Sequence, residues 1–179
     1  MPVYAIVKQD TNTRIIVQEQ FNLEKFGFFK RGTIKDFIKG MVKEVSKSLP
    51  KDSQLREVRE KFNEKEQFKI IFQMRSVFRV FIITDIEYNS KIAYKLLDKC
   101  YENNANYEYL IKEYKQWEDK DQFKKIEDQL EKCNVIVMEG LSQILQRGES
   151  LSDLVEKSEN LSMQTKILFK TAKKKNSCC

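Results

Sequence analysis

The side chains of this 179-residue chain offer little for catalysis. The chain has no histidine, which excludes His-dependent catalytic triads and His-containing metal sites. Its four cysteines, Cys100, Cys133, Cys178 and Cys179, form no Cys-x-x-Cys pair, and the sequence has neither a glycine-rich phosphate loop nor an HExxH motif. We therefore expect a protein that is not an enzyme and that holds no metal and no non-covalent cofactor.

One charged side chain stands in an otherwise uncharged row. From Phe123 to Lys175, residues recur at alternating spacings of three and four, which is the period of a coiled coil. The row consists of Phe123, Ile126, Leu130, Cys133, Val137, Gly140, Ile144, Arg147, Leu151, Leu154, Ser158, Leu161, Thr165, Leu168, Ala172 and Lys175. Before its end, Arg147 is the only charged member, and a buried guanidinium needs polar partners. The pattern favours one helix that meets other chains, although a dimerisation helix with a tolerated arginine remains open.

The residues around Arg147 resemble the SNARE motif of R-SNAREs in the synaptobrevin/VAMP-like superfamily. The resemblance rests on Gln146-Arg147-Gly148-Glu149 and on the apolar positions that follow, from Leu151 to Leu161. It implies that Arg147 forms the ionic layer of a parallel four-helix bundle, with one glutamine from each of three Q-SNARE helices (Qa, Qb and Qc). The other members of the row up to Ala172 would then be the packing layers of that bundle.

The amino-terminal half reads as a mixture of strands and helices. Apolar patterns predict strands over 3–8, 14–20, 68–72 and 77–84, and helices from Thr33 to Leu49 and from Ser90 to Cys100. Thr33 is predicted to begin a capping box, and Ser90 to cap the second helix. The charged stretch 55–66 is expected to lie between elements, and 101–122 to be a linker that could hold a helix around 107–117. The order β-β-α-β-β-α, which leaves one more short strand open, predicts an α+β domain with an antiparallel sheet and flanking helices.

This half also resembles a known domain. Phe26-Gly27-Phe28-Phe29-Lys30-Arg31 and Ile83-Thr84-Asp85 are similar to stretches of the profilin-like longin domain of lipid-anchored R-SNAREs that lack a transmembrane segment. The expected organisation is a longin domain over 1–104, a linker over 105–121, an R-SNARE coiled-coil helix over 122–175 and a lipidation tail over 176–179.

The last residues suit a membrane anchor. No run approaches eighteen apolar residues, so no transmembrane helix is expected. Cys178 and Cys179 follow the basic triplet Lys173-Lys174-Lys175. Two lipid chains attach a protein stably to a membrane, whereas a single chain binds only marginally. The resemblance implies palmitoylation of Cys178 and prenylation of Cys179. The family form continues for three more residues, so a truncated chain, a trimmed product and a bare Cys-Cys end all remain open.

The expected function is that of an R-SNARE that drives vesicle fusion in intracellular trafficking, including ER–Golgi transport. It would be cytosolic and peripheral on the cytoplasmic face of Golgi, endosomal, vacuolar or vesicle membranes. The net charge of +6 is spread thinly, which argues against nucleic acid as a partner. The alternative function is a longin adaptor or coiled-coil tether that does not fuse membranes.

A second, partial apolar row, Met138, Leu141, Leu145 and Val155, has two interpretations. It flanks the seam of a four-helix bundle, or it packs on the longin domain in a closed, autoinhibited monomer. In the second case, the receiving surface is predicted to consist of Phe26, Phe28, Phe29, Phe37, Ile38 and Met41.

Overall fold

Six strands and three helices are the main elements of the described part of the chain. A computed structural model describes residues 2–61, 67–116, 135–139, 155–156, 162–163 and 165–167. The strands are β1 (Val3–Asp10), β2 (Ile16–Phe21), β3 (Leu55–Lys61), β4 (Gln67–Arg75), β5 (Phe78–Asp85) and β6 (Val135–Glu139). The helices are α1 (Phe28–Ser48), α2 (Ser90–Cys100) and α3 (Tyr107–Glu113), the last followed by a 3-10 turn, Tyr114–Gln116. The predicted α+β class is confirmed.

The six strands form one sheet in the order β2-β1-β5-β4-β3-β6. Neighbours among β1 to β5 pair antiparallel, as predicted. The last strand, β6, instead pairs parallel with β3, so the sheet is mixed. In the unassembled chain, Val135–Glu139 therefore form a strand and not part of the continuous helix predicted from Phe123 to Lys175. Three consecutive β-branched residues, Val135 to Val137, suit a pleated edge, and pairing with β3 overrides their helical spacing.

The sheet is covered on both faces, which explains the nearly continuous apolar character of its middle strands. In β5, Phe81 and Ile83 face one core, while Val80 and Ile82 face the other. The first core, here called the α1 core, lies between the sheet and α1. The second, the α2 core, lies between the sheet and the helices α2 and α3.

Several predicted boundaries and caps are wrong. The charged stretch 55–66, expected to lie between elements, contains β3, because two of its few apolar residues are needed in the cores: Leu55 in the α2 core and Val58 in the α1 core. Helix α1 begins at Phe28 with Gly27 at its N-cap, so Thr33 lies inside the helix and forms no capping box. The N-cap of α2 is Asn89, not Ser90.

Ordered structure continues beyond residue 104, into the predicted linker. Asn106 caps α3 by accepting a hydrogen bond from the Tyr109 N–H at 3.1 Å. Tyr107, Leu110 and Ile111 are buried in the α2 core. The helix predicted around 107–117 is thus part of the packed domain. Within the described ranges, no helix combines the length and hydrophobicity that a membrane crossing requires.

Candidate functional site

The surface most relevant to function is the edge of the sheet where β6 lies on β3. The register sets Leu55 opposite Val135, Val58 opposite Met138 and Arg59 opposite Glu139. An edge strand presents unpaired N–H and C=O groups that another extended segment can satisfy. Residues of the predicted SNARE helix thus complete the sheet as its sixth strand.

Side-chain packing accompanies the pairing of β6 with β3. Val135 packs against the α2 core, to which its register partner Leu55 belongs. Met138 packs against the α1 core, to which its partner Val58 belongs. A slip of one residue would place each side chain on the opposite face, so this matching specifies the register. The backbone of β6 and two of its side chains are therefore engaged with the domain.

A buried polar cluster lies beside this edge. The carboxylate of Glu57 in β3 is 1% exposed and accepts a hydrogen bond from the Tyr94 hydroxyl at 2.7 Å. Arg59 Nε donates to its other oxygen at 3.2 Å, and Lys69 Nζ lies 4.0 Å from that oxygen. Lys69 also donates to the Tyr88 carbonyl at 2.6 Å and to the Ser90 hydroxyl at 2.8 Å. The buried charges thus have partners, which a buried ion pair requires.

These partners keep the Glu57 carboxyl in its deprotonated form. Desolvation raises the pKa of the Glu57 carboxyl, but hydrogen bonds from Tyr94 and Ser90 and the charge of Lys69 outweigh it. Its pKa is therefore below the usual value, and Glu57 is ionised at neutral pH. The outer pair on this edge, Arg59 and Glu139 at 3.5 Å, is more exposed and contributes little.

A second contact of the carboxyl-terminal segment lies on the other side of the sheet. Val155 is 1% exposed and belongs to the α1 core, together with four residues of the predicted receiving surface. These four are Phe26, Phe37, Ile38 and Met41. The remaining two, Phe28 and Phe29, do not belong to that core, since their side chains are 77% and 94% exposed.

Two predicted packing-layer residues fall within the described ranges. Val137, in β6, is 49% exposed. Thr165, in a helical segment, is 2% exposed, and its hydroxyl lies 2.9 Å from that of Ser162. The ionic-layer residue and the other predicted packing layers lie outside the described residues: Phe123, Ile126, Leu130, Cys133, Gly140, Ile144, Arg147, Leu151, Leu154, Ser158, Leu161, Leu168 and Ala172. The two predicted lipidation sites, Cys178 and Cys179, and two members of the partial apolar row, Leu141 and Leu145, also lie outside them.

Sequence reasoning missed β3 as the partner of β6. The stretch Leu55-Arg56-Glu57-Val58-Arg59-Glu60-Lys61 is dominated by charges, which favoured a loop. The available signal was two apolar residues, Leu55 and the β-branched Val58, the latter between Glu57 and Arg59. That signal is weak because Glu57 is charged and yet buried.

Comparisons with known proteins agree with both halves of the chain. Residues 122–178 match the synaptobrevin family model. The chain is 28% identical to "Synaptobrevin homolog YKT6" of Debaryomyces hansenii, with 88% of this chain and 87% of that protein aligned. It is 27% identical to "VAMP-like protein YKT61" of Arabidopsis thaliana (92% and 89% aligned) and 27% identical to "Synaptobrevin homolog YKT6" of Saccharomyces cerevisiae (91% and 90% aligned).

These alignments run through the α+β domain and through the segment that supplies β6 and Val155. They support an R-SNARE role in vesicle trafficking. Because a SNARE acts by assembly rather than by catalysis, the chain is not an enzyme. The chain is thus similar to synaptobrevin over residues 122–178 and to synaptobrevin/VAMP-like relatives over nearly its whole length.

Proposed function

We propose that this chain is the R-SNARE of a four-helix complex that fuses vesicle membranes. The observation that carries the proposal is the match of residues 122–178 to synaptobrevin. Within that segment lies the row of residues at alternating spacings of three and four, which is the seam of the bundle. Apart from its last member, Lys175, the only charged residue of this seam is Arg147. Arg147 meets three glutamines, one from each of the Qa, Qb and Qc helices, which satisfies a guanidinium that would otherwise be buried alone.

Fusion is driven by folding coupled to assembly. Gly140 and Gly148 each weaken an isolated helix by about 1 kcal/mol relative to alanine, so the segment completes its helix by meeting partner helices. Zippering from Phe123 toward Lys175 draws the carboxyl-terminal end toward the opposite membrane. A palmitoyl group on Cys178 and a prenyl group on Cys179 anchor that end to Golgi, endosomal, vacuolar or other vesicle membranes.

The longin domain restrains this assembly by holding the SNARE segment. Support comes from β6, which is paired with β3, and from Val155, which is buried in the α1 core. A residue cannot be in a strand of this sheet and in a helix of the bundle at the same time. Assembly therefore requires the free energy that releases β6 and Val155 from the domain. For this reason the closed chain assembles slowly with its Q-SNARE partners.

The assembly is tested by mixing the full chain with three candidate Q-SNARE helices and following helix formation by circular dichroism. A gain in helix is expected only in the complete mixture. Arg147→Ala should weaken assembly, and a glutamine-to-arginine change in one partner should partly restore it. An arginine variant that assembles as well as the wild type contradicts the layer assignment. Absence of assembly with every Q-SNARE set supports the alternative function, an adaptor or tether.

The restraint is tested with Val155→Asp, which places a carboxylate in the α1 core. The released chain should assemble with the Q-SNARE helices several-fold faster than the wild type. Met163→Asp serves as a control, because Met163 is 73% exposed. Equal rates for wild type and Val155→Asp contradict autoinhibition without affecting the proposal that the chain assembles.

A further inference from the structure

Two phenylalanines of the first turn of α1 stand away from both cores. Phe28 is 77% exposed and Phe29 is 94% exposed. Their rings pack on each other, edge to face, with centroids 5.6 Å apart. Such large apolar surfaces are unusual on a folded domain unless something else covers them.

The pair is not part of an incompletely packed core. Phe26, just before the helix, is 7% exposed and packs on the Tyr4 ring with centroids 5.3 Å apart, so the core position in this stretch is filled. A Cβ atom added at Gly27 or at Gly32 would meet nothing within 4 Å. The two rings thus project from an open tip of the domain.

The charges around this tip are mainly basic. The first turn of α1 contains no acidic residue, and Lys30, directly after the pair, has no ion-pair partner within the described part of the chain. Arg31 lies beside it, folded back so that its Nε donates to the Phe26 carbonyl at 3.0 Å. Glu24, the acidic residue that most closely precedes the two phenylalanines in sequence, is paired with Lys115 at 3.5 Å.

We propose that Phe28 and Phe29 insert into the interface of an anionic membrane, with Lys30 and Arg31 at the level of the lipid headgroups. Phenylalanine rings gain free energy by leaving water, and cations beside them are attracted to an anionic leaflet. This charge complementarity argues against a second copy of the chain as the occupant, because symmetric packing of two tips would bring Lys30 toward Lys30.

The proposal gives the folded domain a membrane contact of its own, apart from any lipid on the carboxyl-terminal cysteines. It goes beyond the fusion role, because it does not depend on Q-SNARE partners. The domain would be held on the vesicle surface at the amino-terminal end of α1, whether β6 is docked or released.

The test measures partitioning of the full, lipid-free chain onto phosphatidylcholine vesicles, with and without phosphatidylserine. Phe28→Ala/Phe29→Ala should weaken partitioning onto the anionic vesicles about tenfold or more. Ile15→Ala/Val17→Ala is the matched control, since those side chains are 61% and 50% exposed. Lys30→Glu should weaken binding about fivefold at low salt, whereas Lys47→Glu at the other end of α1 should have little effect. Thermal unfolding verifies that the variants remain folded.

Insertion is observed directly with Phe29→Trp in a Trp117→Phe background. Tryptophan emission should shift to the blue on anionic vesicles and be quenched by brominated lipids. Two results would overturn the proposal. One is equal partitioning of the Phe28→Ala/Phe29→Ala variant and the wild type, without an emission shift. The other is a wild-type dimer that this variant converts to monomer, with vesicle binding unchanged, which would assign the pair to self-association.

Discussion

At the scale of single residues, Glu57 shows how a charge can stabilise an interior. Glu57→Gln should lower the free energy of unfolding at pH 7 by about 1–3 kcal/mol, because Lys69 loses its buried counter-ion but keeps two neutral acceptors. The pKa of Glu57 is lowered in the folded chain from its ordinary 4.5. Its contribution is therefore present above pH 4.5 and is lost as the pH falls through the folded pKa.

The difference in unfolding free energy between wild type and Glu57→Gln should accordingly shrink below pH 4.5. Thermal or urea unfolding followed by circular dichroism at several pH values measures it. Glu108→Gln breaks an exposed pair with Lys112 and should change stability only slightly at pH 7. A difference for Glu57→Gln that is constant from pH 7 to acid would show that the ionised carboxylate is not what stabilises the edge.

At the scale of elements, strands β4 and β5 and helix α2 could be predicted because their apolar patterns match their burial. Strand β3 could not be predicted in this way, because four of the five residues from Arg56 to Glu60 are charged. Its place in the sheet is explained only by the strands on either side of it, β4 and β6. Strand β6 has two competing signals: seam spacing at Val137 that favours a helix, and a β-branched run that favours a strand. Which of the two structures forms depends on whether the segment pairs with β3 or packs on other helices. A local sequence pattern does not reveal a pairing partner that is distant in sequence.

Part of the candidate site follows from one of the two interpretations of the partial apolar row. Val155, Phe37 and Ile38 share the α1 core, which is the arrangement that the closed interpretation predicts. Phe28 and Phe29 were grouped with them because all are aromatic or aliphatic. Residues near one another in a helix can point in different directions, however, and Phe28 and Phe29, in the first turn of α1, are both exposed.

Strand β6 carries two surfaces, and substitutions should separate them. Met138 packs on the α1 core, whereas Val137 is half-exposed and is a predicted layer of the bundle. Met138→Ser should increase hydrogen exchange of the amides from 135 to 139 and speed assembly with Q-SNARE helices. Val137→Ser should leave that exchange nearly unchanged and weaken the assembled bundle, because it removes an apolar layer.

Hydrogen exchange by mass spectrometry on the full chain measures the first effect, and thermal dissociation of the complex measures the second. Each variant is the control for the other, since the two positions are adjacent. If both variants raise exchange equally, the two surfaces of β6 are not distinct. If Val137→Ser leaves the complex as stable as the wild type, Val137 is not a layer.

At the scale of the whole molecule, one segment is the sixth strand of a sheet and is also proposed as part of a four-helix bundle. The two states exclude each other, because each uses the backbone hydrogen-bonding groups of Val135 to Glu139. Holding β6 on β3 should therefore block assembly across Val137 even when every seam side chain is intact.

A reversible cross-link tests this exclusion. Arg59 and Glu139 are register partners at the edge, and both are partly exposed. Arg59→Cys with Glu139→Cys should form a disulfide, since residues in register on neighbouring strands lie roughly 5 Å apart, within the Cα range of disulfides. Cys133, Cys178 and Cys179 are replaced by serine in every version, and buried Cys100 is kept.

The oxidised chain should fail to gain helix with the Q-SNARE partners, and a reductant should restore the gain in the same sample. Arg59→Cys alone, treated with the same oxidant and reductant, shows whether losing the pair with Glu139 and the hydrogen bond to Glu57 has an effect of its own. Because the oxidised and reduced samples carry the same seam residues, with Cys133→Ser in both, a loss of assembly on oxidation can come only from retention of β6. An oxidised double variant that assembles as fast as the reduced one would mean that β6 stays on the domain during assembly, and that the bundle forms without the layer at Val137.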